Sequence, residues 1–466
     1  MTTNLNEFFN LGLESTNNPV NNAGMINVFR TPVDTSSANL NRVTFKFPKS
    51  GLLTADSMIT LQFVTSDGLT SNLTPNLVNG AVGAIKRTRI LVDNKPLVDL
   101  QRPGLAENVK LYSRNTQIEL AEKEYKMMGN QFRTTVNSEG EEAIDIQNIR
   151  YCADNNQTGG DIGLTKNRIS SVSNSKVYGI KLKHLGAEFL EAASLPVFLL
   201  GHREIVLELE FHSDCREYVV DPTGAAIDAS AVKISLADME LVSTHIMLPP
   251  DVEENEKMAL AKRPVTYPLL DSYVIKGVID ASGALDEKKR ETYRINFQNR
   301  EVHNLLMCQV NTTPINSRVC ANQRANSLGK EELQLKVNGQ NLFDRPIVHQ
   351  SLIYQLTTYS EEGRTLKIPY NAFRVDGTSL ASYRQNASEL YLDYRGAFHY
   401  TKVDLSNGNL GVFGAGTLMK TACEIDYTVT TATATNPKQD EIKDVFFYAT
   451  ISKLLTIGAS QVNISY

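Results

Sequence analysis

The chain has 466 residues, of which 41% are hydrophobic and 21% charged, with a formal net charge of -5. That length holds two or three domains with real cores, and that charge excludes both a strongly basic nucleic-acid binder and an acidic tail protein. No apolar run is long enough to span a bilayer as a helix. The five cysteines, Cys152, Cys215, Cys308, Cys320 and Cys423, have neither disulfide-framework nor metal-ligand spacing, which predicts a reducing compartment.

Residues 1–41 are Asn-rich and polar without sustained periodicity, so a polar N-terminal arm is expected there. Its opening, MTTNLNEFFNLGLESTNN, has no basic stretch and no apolar core, and no secretory signal is expected. Strands begin at residue 42. RVTFKF (42–47) places Val43, Phe45 and Phe47 on one face, and SMITLQFVT (57–65) does the same with Ile59, Leu61 and Phe63. Period-two alternation marks half-buried strands. TQIELAEKEYKMM (116–128) is rich in helix formers, and 129–175 reads as a long polar loop. KVYGIKLKHL (176–185) is a further strand and GAEFLEAASL (186–195) a short helix. EIVLELEFH (204–212) turns Ile205, Leu207, Leu209 and Phe211 one way and Glu204, Glu208, Glu210 and His212 the other. VKISLADMELVSTHIML (232–248) is a long strand or a pair.

PPDVEENEKMALAKRP (249–264) interrupts the pattern and is the expected linker. Beyond it, ETYRINFQ (291–298), EVHNLLMCQVN (301–311), KTACEIDYTVTTA (420–432), KDVFFYATISKLLTI and QVNISY are strand-like. In 420–432, Cys423, Ile425, Tyr427 and Val429 share one face.

One phrase occurs twice. ILVDNKPLVDLQRP (90–103) matches LKVNGQNLFDRP (335–346), with Val92, Asp93, Asn94, Leu97 and Asp99 against Val337, Asn338, Gly339, Leu342 and Asp344. Arg102-Pro103 and Arg345-Pro346 close the two copies. Asp-Asn and Asn-Gly tolerate the positive φ angles of two-residue hairpin turns. Each phrase leads into a segment of helical spacing, 104–115 and 347–359, with proline suited to the first helical turn. Roughly eight strands on each side of the linker predict a mainly all-β chain. The expected architecture is two tandem eight-stranded antiparallel jelly-roll β-sandwiches with short helices in the loops. The expected division is an arm at 1–41, sandwiches at 42–248 and 265–466, and the linker at 249–264.

The duplicated hairpin, LPVFLLGHREIVLELEF (195–211) and the ending DVFFYATISKLLTIGASQVNISY together resemble the double jelly-roll major capsid proteins of the adenovirus-like tailless double-stranded DNA viruses. The similarity is greatest to those of virophages and polinton-like viruses and covers about residues 40–466. The resemblance implies a structural protein of the virion. It forms pseudo-hexagonal homotrimeric capsomers that tile an icosahedral shell, with neighbouring capsomers, penton and minor capsid or cement proteins as partners. It also implies that an internal membrane is possible, that the excursions at 112–175 and 358–420 form towers and contacts, and that the arm lies beneath the capsomer. Residues 1–41 hold one basic residue, Arg30, so sequence-specific nucleic-acid binding is not expected.

Catalytic, cofactor-binding and metal residues are each expected to be none. GNLGVFGAGTLMKTA (408–422) lacks the Gly before Lys-Thr that a phosphate loop needs, because Met419 precedes Lys420. His202-Arg203-Glu204 has no P-C-x-x-C partner, and His184, His202, His212, His245, His303, His349 and His399 are scattered, which predicts surface or half-buried residues. Glu204, Glu208 and Glu210 have the spacing of a glycosidase pair, yet an outward strand face is charged by default. Lys86-Arg87-Thr88-Arg89 reads as a solvated face or an inter-subunit salt link, and Asn156–Asp161 as a turn rather than a calcium loop. The alternatives are a carbohydrate-binding or carbohydrate-active jelly roll and a minor capsid or spike component. The absence of Trp, the usual sugar-stacking residue, weighs against the first.

Overall fold

A computed structural model of the chain describes residues 25–33, 41–69, 71, 73–75, 80–107, 127–129, 134–136, 142–144, 169, 176–221, 226–280, 287–297, 299–312, 331–348, 400–405, 416–430, 442–459 and 461–465. Eight principal strands precede residue 249: β1 (Met25–Pro32), β2 (Arg42–Lys46), β3 (Met58–Thr65), β4 (Ile85–Val92), β5 (Lys95–Gln101), β6 (Val177–Lys181), β7 (Ile205–Phe211) and β8 (Val232–Met247). They form two antiparallel sheets, ordered β1-β8-β3-β6 and β2-β7-β4-β5. The two orders correspond position by position: each strand is matched by its neighbour in sequence, 1 with 2, 8 with 7, 3 with 4, and 6 with 5. That wrapping of hairpins across two sheets is jelly-roll topology.

The second half repeats it. Its strands are β9 (Val265–Asp280), β10 (Lys288–Ile295), β11 (Glu301–Asn311), β12 (Glu331–Val337), β13 (Gln340–Asn341), β14 (Tyr400–Asp404), β15 (Cys423–Thr430) and β16 (Ile442–Ile457). Their sheets run β9-β16-β11-β14 and β10-β15-β12-β13, the first set with eight added to every number. Among the described strands, β1–β8 pair within the first half and β9–β16 within the second.

Alternation accounts for the cores. In the first sandwich Val43, Phe45, Ile59, Leu61, Phe63, Leu207 and Leu209 are all at most 1% exposed. Phe63 packs between Tyr178 and Tyr218, with ring centroids 5.6 and 5.5 Å away. Each such side chain contributes about 1.5–3 kcal/mol by leaving water. In the second sandwich Cys423, Ile425, Tyr427 and Val429 are all buried as their spacing predicts. Opposite them β16 contributes Val445, Phe447, Ala449 and Ile451 to the same core. Its intervening Phe446 and Tyr448 join the core of the first half instead. A strand buried on both faces reads as the continuous apolar run DVFFYA.

Both repeated phrases form hairpins. Asp93 and Asn94 have φ of 51° and 62°, and Asn338 and Gly339 have 51° and 81°, the paired left-handed residues of a two-residue turn. Val92 pairs with Lys95, and Val337 pairs with Gln340.

Several expectations need correction. Met25–Pro32, assigned to the polar arm, form β1, in register with β8 from Met25 opposite Met247 to Pro32 opposite Glu240. The linker is helical: α2 (Pro250–Lys262) starts on a proline with Asp251 and Glu253 in its first turn, where they favour the helix dipole. The short helix at 186–195 is present as α1 (Phe189–Ala192). Ile347-Val348, expected to open a helix, pair with β12 as a strand, which satisfies backbone groups along that edge. After Arg102 the chain is helical from Pro103 to Glu107. The expected loop at 129–175 includes two paired strands, Thr134–Val136 and Glu142–Ile144. The remainder of the segments 108–126, 145–168 and 349–399 lies outside the described residues.

Candidate assembly surface

The two sandwiches meet along β5 through an apolar contact that includes Leu269, Phe446, Leu455 and Ile457, and polar side chains of one half donate across it to backbone carbonyls of the other. Lys453 on β16 reaches across to the Leu97 carbonyl at 3.2 Å and is ion-paired with Asp271 on β9. Both charged groups are at most 4% exposed. Tyr448 donates to the Arg102 carbonyl at 3.4 Å. The Arg102 guanidinium lies 5.5 Å from the centroid of the Phe446 ring and is held by Glu217 at 3.0 and 3.2 Å. In the reverse direction Arg203 donates to the carbonyls of Gly458 and Ala459 at 3.3 and 3.2 Å, and Lys95 donates to that of Val462. Tyr267 donates to the Ala193 carbonyl and sets its ring edge-on to Phe189. Such groups are tolerated in a dry joint because they are paired there.

Burial sets the electrostatics of this joint. It pushes the Asp271 carboxyl up to about 6 against the opposing pull of Lys453. It also raises Glu217 above the usual carboxylate range despite Arg102. His212 is driven well below its ordinary value by burial and by the nearby positive charges of Arg102 and Lys86.

The outward face of the β2-β7-β4-β5 sheet carries transverse ion pairs. Lys46 meets Glu204 at 3.2 Å, Lys86 meets Glu210 at 2.7 Å, and Arg87 grips Asp99 through two bonds of 2.6 and 2.7 Å. Glu208 sits between Arg42 and Arg89, with Arg89 at 2.6 Å. The carboxylates with glycosidase spacing are therefore each matched by a cation across the sheet, and the basic run 86–89 supplies two of those cations, Lys86 and Arg89. The second sandwich repeats the pattern with Lys288–Glu332 at 2.9 Å and Arg290–Asp426 at 2.6 Å.

Four of the seven histidines depart from the expected surface or half-buried setting. His184 bonds Glu107 at 2.7 Å, His245 the Ser50 carbonyl at 2.7 Å, and His303 the Ser452 hydroxyl at 2.8 Å, all buried, as is His212. His245 and His303 lie on strands and His184 in a short 3-10 turn, each with a hydrogen-bonding partner in the interior. His202 is exposed as expected, and His349 and His399 lie outside the described residues. Lys420 follows a fully buried Met419, and its backbone N–H donates to the Asn338 side chain at 2.6 Å. The 156–161 turn lies outside the described residues. Among the described residues no group of three or more His, Cys, Asp or Glu is placed to hold a metal ion. No described helix is long and apolar enough to cross a membrane.

What the sequence did not single out is the apolar surface of the β1-β8-β3-β6 sheet. Ile26 and Val28 on β1 are 69% and 58% exposed, on an edge strand. An exposed apolar edge is a template for another chain.

No protein-family model matches the sequence, and no curated protein matches it. Solved structures do. PBCV-1 VP54, fitted into a reconstruction of the virophage Sputnik, superposes with a TM-score of 0.56 at 11% identity, covering 96% of this chain and 97% of that one. A chain of the Sputnik virophage gives 0.55 at 13% identity, covering 95% and 89%. The Faustovirus major capsid protein gives 0.52 at 9%, covering 94% and 91%. The chain has the double jelly-roll fold of these viral capsid proteins. The double jelly roll here spans both halves of the molecule, and the shared architecture persists where little sequence identity does.

Proposed function

We propose that this chain is a major capsid protein, a non-catalytic building block of the shell of a double-stranded DNA virus. Its two sandwiches, joined through 249–264, stand side by side as one rigid unit, and three copies form a homotrimer with a pseudo-hexagonal outline. Trimers tile an icosahedral capsid, in contact with neighbouring capsomers and with penton and minor proteins. The protein resides in the virion. The observation that carries this reading is the eight-strand order written twice in one chain and locked by a buried joint. A twofold repeat within each of three chains supplies the six similar corners that a hexagonal outline needs. The matched ion pairs on both outward sheet faces support a structural rather than a catalytic role, since every carboxylate of the candidate pair is already engaged. Electron-microscope images of the purified protein test it. Six-cornered particles with a threefold axis are expected, and isolated two-lobed particles at all concentrations would overturn the reading.

A further inference from the structure

The two copies of the repeated phrase stand in opposite surroundings. In the first copy Leu97 is fully buried and Arg102 is 8% exposed, because the phrase lies against β16 of the second sandwich. Phe446 stacks under Arg102, and Tyr448 and Lys453 donate to the carbonyls of Arg102 and Leu97. In the second copy the matching Leu342 is 41% exposed, and Asp344 and Arg345 are exposed as well.

The counterpart of β16 in the first sandwich is β8. The two strands have 16 residues each and hold the same place in the strand order. Laid end to end, Phe446 corresponds to Leu236 and Tyr448 to Asp238. Leu236 is 36% exposed and Asp238 is exposed, on a stretch that leaves register with β3 between Ser235 and Glu240. Beyond it, on β1 paired to the same strand, Val28 opposite Thr244 is 58% exposed. The chain thus uses one phrase-to-sheet joint internally and leaves exposed the second phrase and the Leu236–Asp238 part of the matching strand, while Ser243, the counterpart of Lys453, is buried.

We propose that the Leu342–Arg345 phrase of one copy docks on the β8 face of a second copy, with Arg345 at Leu236 and Asp238 and Leu342 at Val28. This rests on the self-assembly reading above and names its contact. Two different patches meet, so the contact is heterologous and closes into a ring when the rotation permits. Internal and intermolecular joints then alternate around that ring. Arg345 and Asp238 have opposite charge, and Leu342 and Val28 are both apolar, which suits a polar rim beside an apolar anchor.

Charge reversal on the full-length chain tests the proposal, with mass measured by light scattering across a dilution series. Arg345→Glu and Asp238→Arg alter exposed side chains, and near-ultraviolet circular dichroism checks that each variant keeps its fold. Each single change is expected to weaken association by about tenfold or more, and the double swap to restore it. Leu342→Asp, at the other end of the phrase, is expected to dissociate the assembly as Arg345→Glu does. A wild-type protein that is itself monomeric would overturn the self-assembly reading. A wild-type trimer indifferent to all of these changes would leave that reading standing and overturn this contact. Failure of the double swap to restore association that both singles had lost would equally overturn the Arg345–Asp238 pairing.

Discussion

At the scale of single residues, Asp271 and Lys453 decide how the joint responds to acid. Desolvation dominates at Asp271, so the folded protein holds that proton up to about pH 6, whereas an ordinary carboxyl holds it only to 3.8. Folding therefore takes up a proton between those values, and this group's contribution to stability rises as pH falls through that window. The gap amounts to at most about 3 kcal/mol. Asp271→Asn lacks the proton uptake. The stability of the wild type relative to this variant is expected to increase as pH is lowered from roughly 7 to 4, read from urea midpoints at each pH. Parallel profiles would contradict it. Neither residue was legible as buried. Nothing local marks Lys453 in ISKLLTI or Asp271 in LLDSY, because the surface that covers them comes from a sandwich more than 150 residues away. The same limit hid the buried histidines: the sequence shows a polar residue but not the carbonyl or hydroxyl that satisfies it.

At the scale of elements, hairpins were the most legible feature and edge strands the least. The turns at Asp93-Asn94 and Asn338-Gly339 follow from residues that tolerate positive φ, a purely local property. The buried faces of β3, β7 and β15 follow from period two. By contrast β1, MINVFRTP, has apolar residues on both faces and a partner strand more than 200 positions along the chain, so its local pattern resembles an arm. β9 carries Pro268, which argues against a central strand. It is an edge strand paired to β16 alone among the described strands, and an edge tolerates a missing N–H. That edge also depends on a glycine. A Cβ at Gly277 would stand 2.4 Å from the Tyr293 ring, whose hydroxyl donates to the Val278 carbonyl at 3.0 Å. Gly277→Ala is expected to displace that ring and lower stability by about 1–3 kcal/mol in urea denaturation. An unchanged midpoint would show that Tyr293 repacks freely.

At the scale of the whole molecule, the repeated phrase marks the repeated domain. The strand order of residues 25–247 recurs at 265–457, and the superpositions on capsid proteins extend over both repeats. Order of elements and chain length were readable from sequence. The sense in which one sandwich lies on the other was not, since it depends on Arg102, Phe446 and Lys453 meeting across the joint. That joint leaves an apolar β1 edge and an exposed second phrase outside, which is the surface a self-assembling unit requires. Assembly is the central claim, and the mass of the purified native protein by light scattering tests it most directly. A species near three times 51.7 kDa that persists on dilution to micromolar concentration is the predicted result. A stable particle of 51.7 kDa under the same conditions would contradict the account.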